Sequence, residues 1–476
     1  MKRLPAALLV FVSLLLCLLP CASAEEGAVA VSGDYQYRVR EDGTAELLRY
    51  TGEGDSLVLP ADFGGAPLAV IGPNAFKSRN SLYSVVLPDT LSELGDYAFF
   101  YCRNLTSVNL PDSIRTIGRN PFAGCESLSS IQISPNHPCL SLQDGVLFST
   151  PDARLVAYSM TRPRGEYTVP EGTKIIGAYA FNTCDTITGL TLPESVTSVG
   201  ARAFYHCSRL ASVNLPDSIS YLGSSAFSGC SALHSLSLPD TITEIGDGAF
   251  EDCTNLEQVV LPVDATSIGN RAFYNCSSLT QLQLPEGISS IGENTFAECR
   301  SLLEIVLPED VTYIGGGAFR NCLSLKRINI PEDVSYIGSN AFCFCQSLES
   351  LEIPETCFYI GASAFQSCSA LQEMVLPEML NNISPLLLAG CVSLREVELP
   401  RRAAAVGDQA FLGCVSLTDI EIPGDVTSIG DMAFYGCAAL ERVFLPASLS
   451  HVGAGAFDRC PALSGLPDLS ALSGGN

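Results

Sequence analysis

From Leu68 to Pro467 the chain repeats one short pattern of apolar and polar positions. Val311 to Pro331 is typical: Val-Thr-Tyr-Ile-Gly-Gly-Gly-Ala-Phe-Arg-Asn-Cys-Leu-Ser-Leu-Lys-Arg-Ile-Asn-Ile-Pro. Its end, Leu325-x-x-Ile328-x-Ile330, alternates apolar and polar residues as a half-buried strand does. Pro331 closes that strand, because proline has no N–H to give to a ladder. A second short strand is expected over Val311 to Ile314, and a helical or 3₁₀ turn begins at Ala318-Phe319 and ends near Cys322. Each unit therefore supplies two short strands and a turn.

The register of the repeat is carried by glycine, which recurs every 23 residues at Gly72, Gly95 and Gly118, then from Gly177 to Gly361 and from Gly407 to Gly453; Ser384 holds the place once. Sixteen copies can be counted on it. No unit of this size buries its apolar face alone, so the copies must stack. The expected fold is a β-rich repeat solenoid with short parallel strands and short helical or 3₁₀ turns in each 23-residue coil. Length sets no domain count here, since a solenoid grows by adding coils.

One interruption breaks the spacing. Gly118 to Gly177 is 59 residues, an insertion of 36, placed at about 136–172. Within it Val146 to Phe148 and Leu155 to Tyr158 flank Ser149-Thr150-Pro151-Asp152, which reads as a small hairpin. The favoured expectation is a modified coil that continues the stack; a functional loop is the alternative. Before the first copy, Tyr35 to Val39 and Ala45 to Tyr50 flank Glu41-Asp42-Gly43, a hairpin expected to cap the open edge of the sheet. The resulting division is a leader at 1–24, a hairpin cap at 25–66, repeats at 67–135, the insert at 136–172, repeats at 173–467 and a polar tail at 468–476.

The leader changes the compartment. Lys2 and Arg3, an apolar run from Ala6 to Leu19 and Ala22-Ser23-Ala24 have the form of a cleaved secretory signal. Lipoprotein processing at Cys21 ranks second because Pro20 precedes it. No later stretch reaches the roughly 18 uninterrupted apolar residues of a membrane span. With Lys2 and Arg3 removed, 24 basic residues stand against 51 acidic ones, a net charge of −27. Such a surface repels phosphate backbones, which argues against nucleic acid as a partner.

Twenty cysteines in an exported chain would ordinarily suggest a disulfide framework. Cys17 and Cys21 leave with the signal, and 15 of the other 18 occupy one slot, three residues after the phenylalanine position, from Cys102 to Cys460. Equivalent residues on adjacent coils lie about 4.8 Å apart with parallel side chains. A disulfide needs Cβ atoms about 3.8 Å apart on converging vectors. A packed ladder of free thiols is therefore expected. Cys139, Cys343 and Cys357 are off register, and Cys343-Phe344-Cys345 has neither zinc spacing nor a nearby histidine.

The combination L-x-x-h-x-L-P followed by I-G-x-x-A-F-x-x-C resembles the BspA-like (Treponema pallidum-type) leucine-rich repeats of bacterial surface proteins. The resemblance implies a solenoid with a continuous sheet along one face. It also implies an extracellular or cell-surface location and an adhesion or interaction role, with host matrix proteins among the candidate partners. It transfers no binding residue, since ligand contacts in such proteins occupy the variable positions.

Chemistry has little to stand on. His137, His206, His234 and His451 are the only histidines and belong to no nucleophile, metal or acid–base motif. His206 beside Cys207 falls on the packed slot, where a catalytic thiol's exposure is missing. No catalytic residue, metal ligand or cofactor site is expected. What the period leaves free is the outward strand positions, neutral in early copies (Ser107, Asn109, Ser212, Asn214) and charged in later ones. The later set is Glu304, Arg327, Glu352, Glu373, Glu396, Glu398, Asp419, Glu421 and Arg442, with Phe444 nearby; it is the candidate protein-binding surface. Tyr313, Tyr336 and Tyr359, spaced by 23, form an aromatic stripe that either stabilises the stack or offers a glycan platform. Acidic residues such as Glu309, Glu332, Glu355 and Glu378 follow the strand-ending proline, and their mutual repulsion predicts weak, diffuse cation binding at most. The expected function is an exported, non-enzymatic protein that binds other proteins; the alternative is a carbohydrate-binding or envelope-scaffold role.

Overall fold

The structure, a computed structural model, describes residues 27–464 and Leu469; the leader and most of the polar tail lie outside these residues. The repeats form a solenoid in which strands of successive coils pair in parallel, 23 residues apart. Gln281–Gln283, Glu304–Val306 and Arg327–Ile328 make one such ladder. Ser290–Ile291, Tyr313–Ile314, Tyr336–Ile337 and Tyr359–Ile360 make the second. The turn between the two strands begins at the proline, whose carbonyl accepts the N–H three residues on, as Pro308 does from Val311. The second strand is two residues long, shorter than the span expected from Val311 to Ile314.

The segment after the glycine is not the helical or 3₁₀ turn expected, and no helix occurs among the described residues. It is a run of β-turns in which alternate N–H groups point in different directions. Ala318, Arg320 and Cys322 donate back to Gly315, Gly317 and Phe319 within the coil. Gly317, Phe319 and Asn321 donate to Ser339, Ala341 and Cys343 of the next coil, at 2.7 to 2.9 Å. Left-handed backbone at Gly317 (φ 62°) and Asn321 (φ 61°) produces the alternation. A helix would turn every N–H along its own axis and leave the coil-to-coil face unpaired, which buried backbone cannot tolerate.

The recurrent glycine sits where coils come closest. A Cβ at Gly338 would lie 2.5 Å from the Gly316 nitrogen and 2.7 Å from the Gly315 carbonyl carbon. Ser384 is accommodated where the second ladder itself gives way: only an isolated bridge, Ile383 to Val406, remains there.

The core is two parallel columns. Phenylalanines of successive coils stack face to face, Phe319 on Phe342 at 5.3 Å and 8° between ring planes. Such pairs contribute about 0.5–1.5 kcal/mol each beyond area burial. Beside them runs the thiol column: the 18 cysteines of the described residues are all free. Each slot thiol donates to the phenylalanine-position carbonyl of the coil before, as Cys345 does to Phe319 at 3.2 Å. Cys184, whose preceding coil is the insert, bonds Thr186 instead.

At the N-terminal end Val29–Ser32, Tyr35–Val39 and Ala45–Tyr50 form an antiparallel meander whose last strand pairs in parallel with Ala66–Ile71. The segment 136–172 repeats this construction. Leu140–Gln143, Val146–Ser149 and Arg154–Ala157 are antiparallel, and the last pairs in parallel with Ile175–Ile176. Tyr50 packs on Phe76 and Tyr158 on Phe181, each tyrosine taking the ladder phenylalanine's place at the head of a stack. The inner meander is buried on both faces. Leu140, Leu147, Val156 and Ala157 join the core of the first coils, while Val146, Phe148, Leu155 and Tyr158 join the core of the later ones. The solenoid is thus two stacks meeting at a shared wall, not one stack with a modified coil.

Candidate interaction surface

Alternation along each strand fixes what faces outward. In Glu304–Val306 the central Ile305 is buried and its two neighbours are exposed; Glu373–Val375 and Glu396–Glu398 repeat the pattern. Parallel register then aligns equivalent positions into rows: Glu304 beside Arg327, Glu373 beside Glu396, Val375 beside Glu398, Asp419 beside Arg442 and Glu421 beside Phe444.

Charge is distributed unevenly along these rows. Glu304 and Arg327 form an ion pair at 3.4 Å, and Arg442 hydrogen-bonds Asp419, holding that carboxyl below its usual range. Between them Glu373, Glu396, Glu398 and Glu421 are exposed and make no salt bridge among the described residues. Strand neighbours lie about 4.8 Å apart, so Glu373 and Glu396 repel across the ladder. Val375 and Phe444 border this acidic patch and are 54% and 56% exposed. Glu352 is exposed but lies on no strand, because residues 350–352 do not pair and the ladder is broken there. The face is therefore interrupted rather than one continuous sheet: Glu304 and Arg327 fall on one short ladder, Glu373, Glu396 and Glu398 on a second, and Asp419, Glu421, Arg442 and Phe444 on a third. A shallow groove of about 870 Å³ crosses from Gln258–Val260 over Gln281–Gln283 to Glu304–Val306 and exposes Val260 and Val306.

Tyr313, Tyr336 and Tyr359 stack at 4.9 and 4.6 Å with planes within 13° of parallel. Both faces of Tyr336 are covered by its neighbours. A sugar stacks on an open aromatic face, so this column offers mainly ring edges; its geometry is that of packing.

Acidic side chains that sequence reasoning treated only as repelling charges are hydrogen-bond acceptors between coils. Glu355 accepts the N–H of Glu378, and Glu378 that of Arg401, both at 2.9 Å. Asp408 and Asp431, which follow the glycine and were not singled out from the sequence, act in the same way: Asp408 accepts from Asp431, and Asp431 from Ala454. The signal was present, as Asp, Asn or Glu directly after the proline or glycine at the 23-residue period, but its partner is a backbone amide that no residue type reveals. No group of three or more potential metal ligands comes together among the described residues.

The groups suspicious by type are structural. Cys207 is fully buried, its thiol donates to Phe181 at 3.0 Å, and burial pushes its ionisation far above the ordinary thiol range. Cys343 is pushed up to about 11 by burial. His137 is buried where the chain enters the inner meander: Nδ1 accepts the N–H groups of Cys139 and Leu140, so Nε2 carries the proton and donates to the Pro111 carbonyl at 3.0 Å.

Comparison with known proteins follows the repeat. The sequence model of the BspA type leucine rich repeat region, six copies long, matches residues 66–150, 157–280, 230–348, 266–391 and 335–464. Among solved structures, a leucine-rich repeat protein from Bacteroides ovatus ATCC 8483 is 26% identical, covering 91% of this chain and 92% of its own, with a TM-score of 0.43. A leucine rich cell surface protein from Faecalibacterium prausnitzii A2-165 is 23% identical over 94% of this chain and 98% of its own, with a TM-score of 0.38. The T. pallidum leucine rich repeat protein is 26% identical over 54% of this chain and 91% of its own, with a TM-score of 0.26. The search of curated proteins gave no match.

Proposed function

The chain belongs to the family of the BspA type leucine rich repeat region, and from that membership we propose that it is an exported, non-catalytic protein that binds other proteins at the cell surface through the outer face of its strand ladder. The acidic patch at Glu373, Glu396, Glu398 and Glu421 carries this reading. Glu373 and Glu396 are register partners, Glu398 and Glu421 stand exposed on the same and the following coil, and none has a basic partner among the described residues; the repulsion between Glu373 and Glu396 costs the fold some stability. A basic protein surface would relieve that repulsion, and the exposed Val375 and Phe444 beside it supply the apolar contact that a protein partner, but not a cation, would use. Leucine rich cell surface protein is also what the similar chain from Faecalibacterium prausnitzii is called.

The test is a pull-down with extracellular matrix proteins, run against a glycan array. A protein ligand is expected, and Glu396→Lys, Glu398→Lys and Glu421→Lys together should weaken its binding by about tenfold or more, the effect of losing one or two charge pairs. Unchanged affinity in the triple variant removes the patch as the binding surface. Binding on the glycan array with no protein ligand would replace the reading by the carbohydrate-binding one.

A further inference from the structure

The junction between the two stacks leaves a cleft of about 270 Å³ between the last coil of the first stack, the inner meander and the first coil of the second. Its lining is mixed: Phe122, Leu128, Ile131, Leu142 and Tyr158 supply the apolar part, while Asn120, Ser129 and Ser159 supply polar groups already bonded within the protein. Asn182 lines it too, is 1% exposed, and neither its amide nitrogen nor its amide oxygen meets a hydrogen-bond partner. Elsewhere among the described coils this position, one after the ladder phenylalanine, either carries a small side chain and is buried, as at Ser228, Ala297 and Cys343, or carries a larger polar one and is half-exposed, as at Tyr205, Glu251 and Arg320. Only at the junction is it buried with a carboxamide whose donor and acceptor are both unpaired. A buried polar group without a partner is costly, and an apolar residue of the same size would avoid that cost.

We propose that the junction cleft is a binding site for a small neutral molecule carrying an amide or lactam group and an apolar portion. The chemistry follows from the lining. A carboxamide presents one donor and one acceptor side by side, which a second amide matches with two hydrogen bonds. No charged side chain lines the cleft, so an ionic ligand would lose its hydration without compensation. The volume equals that of about nine water molecules, which suits a ligand of roughly ten non-hydrogen atoms. An apolar part, polar groups already bonded within the protein and one unpaired donor–acceptor pair together have the make-up of a small-molecule site. Arg162, which donates to the Asp144 carbonyl and lies over the rings of Tyr158 and Tyr167, ties the loop after the last meander strand beside the cleft. The site is separate from the acidic sheet face, and its test does not depend on that surface.

Benzamide is the probe, titrated against the full mature chain by saturation-transfer NMR, with toluene and benzoate as controls lacking the amide or carrying charge. Saturable benzamide binding is expected, with both controls weaker. Asn182→Leu, close to isosteric, should keep the fold and weaken benzamide by about tenfold, as loss of the paired hydrogen bonds implies. Ser130→Trp, at an exposed strand position on the rim of the cleft, should also reduce binding, and it serves if the first variant fails to fold. No saturable signal, or equal binding by toluene or by both variants, overturns the proposal. A crystal soaked in benzamide that keeps only water on both Asn182 amide atoms overturns it as well.

Discussion

The guanidinium of Arg154 donates to the main-chain carbonyl of Ile117 at 2.8 Å, and also to that of Gly118 at 3.0 Å. Ile117 ends the last strand of the first stack's second ladder, whose next neighbour would be a coil that the insert has displaced. A side chain from the inner meander thus stands in for the missing strand's N–H groups. Asp152 orients it by accepting from Nε at 2.8 Å, and Asn120 makes a parallel tie by donating to the Tyr179 carbonyl at 2.7 Å.

Arg154→Ala leaves those carbonyls unpaired at the junction. We expect a loss of about 2–3 kcal/mol, in the range for hydrogen bonds from a charged donor. Arg154→Lys should recover less than half, because an ammonium lacks the planar fork that reaches both oxygens. Urea unfolding followed with hydrogen exchange will check this. The coils before residue 128 should open at lower urea than those after residue 176 in the alanine variant, since repeat stacks communicate only through neighbours.

Glycine substitutions should divide by place. Gly338→Ala puts a Cβ 2.5 Å from backbone that cannot step aside, and should cost about 1–3 kcal/mol. Gly424→Ala, with nothing within 4 Å, should change stability by less than about 0.5 kcal/mol. Thermal melts of the two variants are the comparison; a mild effect at Gly338 would mean that the coils tolerate separation.

The thiol column should show in reactivity and in pH dependence. At pH 8 a thiol reagent should modify only the half-exposed Cys139 and Cys460 of the native chain, and all 18 mature cysteines after denaturation. Burial pushes Cys102 up to about 12 and Cys357 up to about 11. Unfolded thiols ionise near 8.5. Because the folded values are raised, this contribution is fully present below about pH 8.5 and is lost as the pH climbs through 11 to 12. Urea midpoints should therefore fall between pH 8 and about 9.5, before tyrosines ionise. A flat profile over that interval would show that the thiols are not held neutral by the fold.

Replacing one member of the Glu373 and Glu396 pair should help the fold while harming recognition. Glu396→Lys turns a cross-strand repulsion into attraction, worth about 0.5 kcal/mol at these exposed positions. The gain should be visible as a higher Tm at low salt and should shrink as salt rises to about 0.5 M. A substitution that raises Tm and weakens partner binding together would separate the patch's role in recognition from any role in stability.

Glycine every 23 residues, apolar alternation before each proline and cysteine in a single slot made the solenoid legible from the chain alone. Tyr313, Tyr336 and Tyr359 could be aligned for the same reason, since equal spacing in a stack means contact. The turn run was misread because Ala-Phe-x-x-Cys has the composition of a helical turn, while the acceptors that disfavour a helix lie one coil away, such as Ala341 for Phe319. Glu352 was placed on a strand because its residue type fits the row; whether backbone pairs there depends on both neighbouring coils.

Sequence by itself determined the period, the stack and which positions face outward, because these follow from local alternation and from identity between copies. The place where the repetition fails was visible in the spacing, but only the tertiary structure decided what is built there. The inner meander buries both its faces and divides the core in two, Arg154 closes the edge this leaves at Ile117, and Asn182 is enclosed without partners. A repeat specifies what is common to its copies, whereas a junction is made of contacts between unlike segments. No periodicity encodes those contacts; they form only when the chain is folded and the two stacks meet.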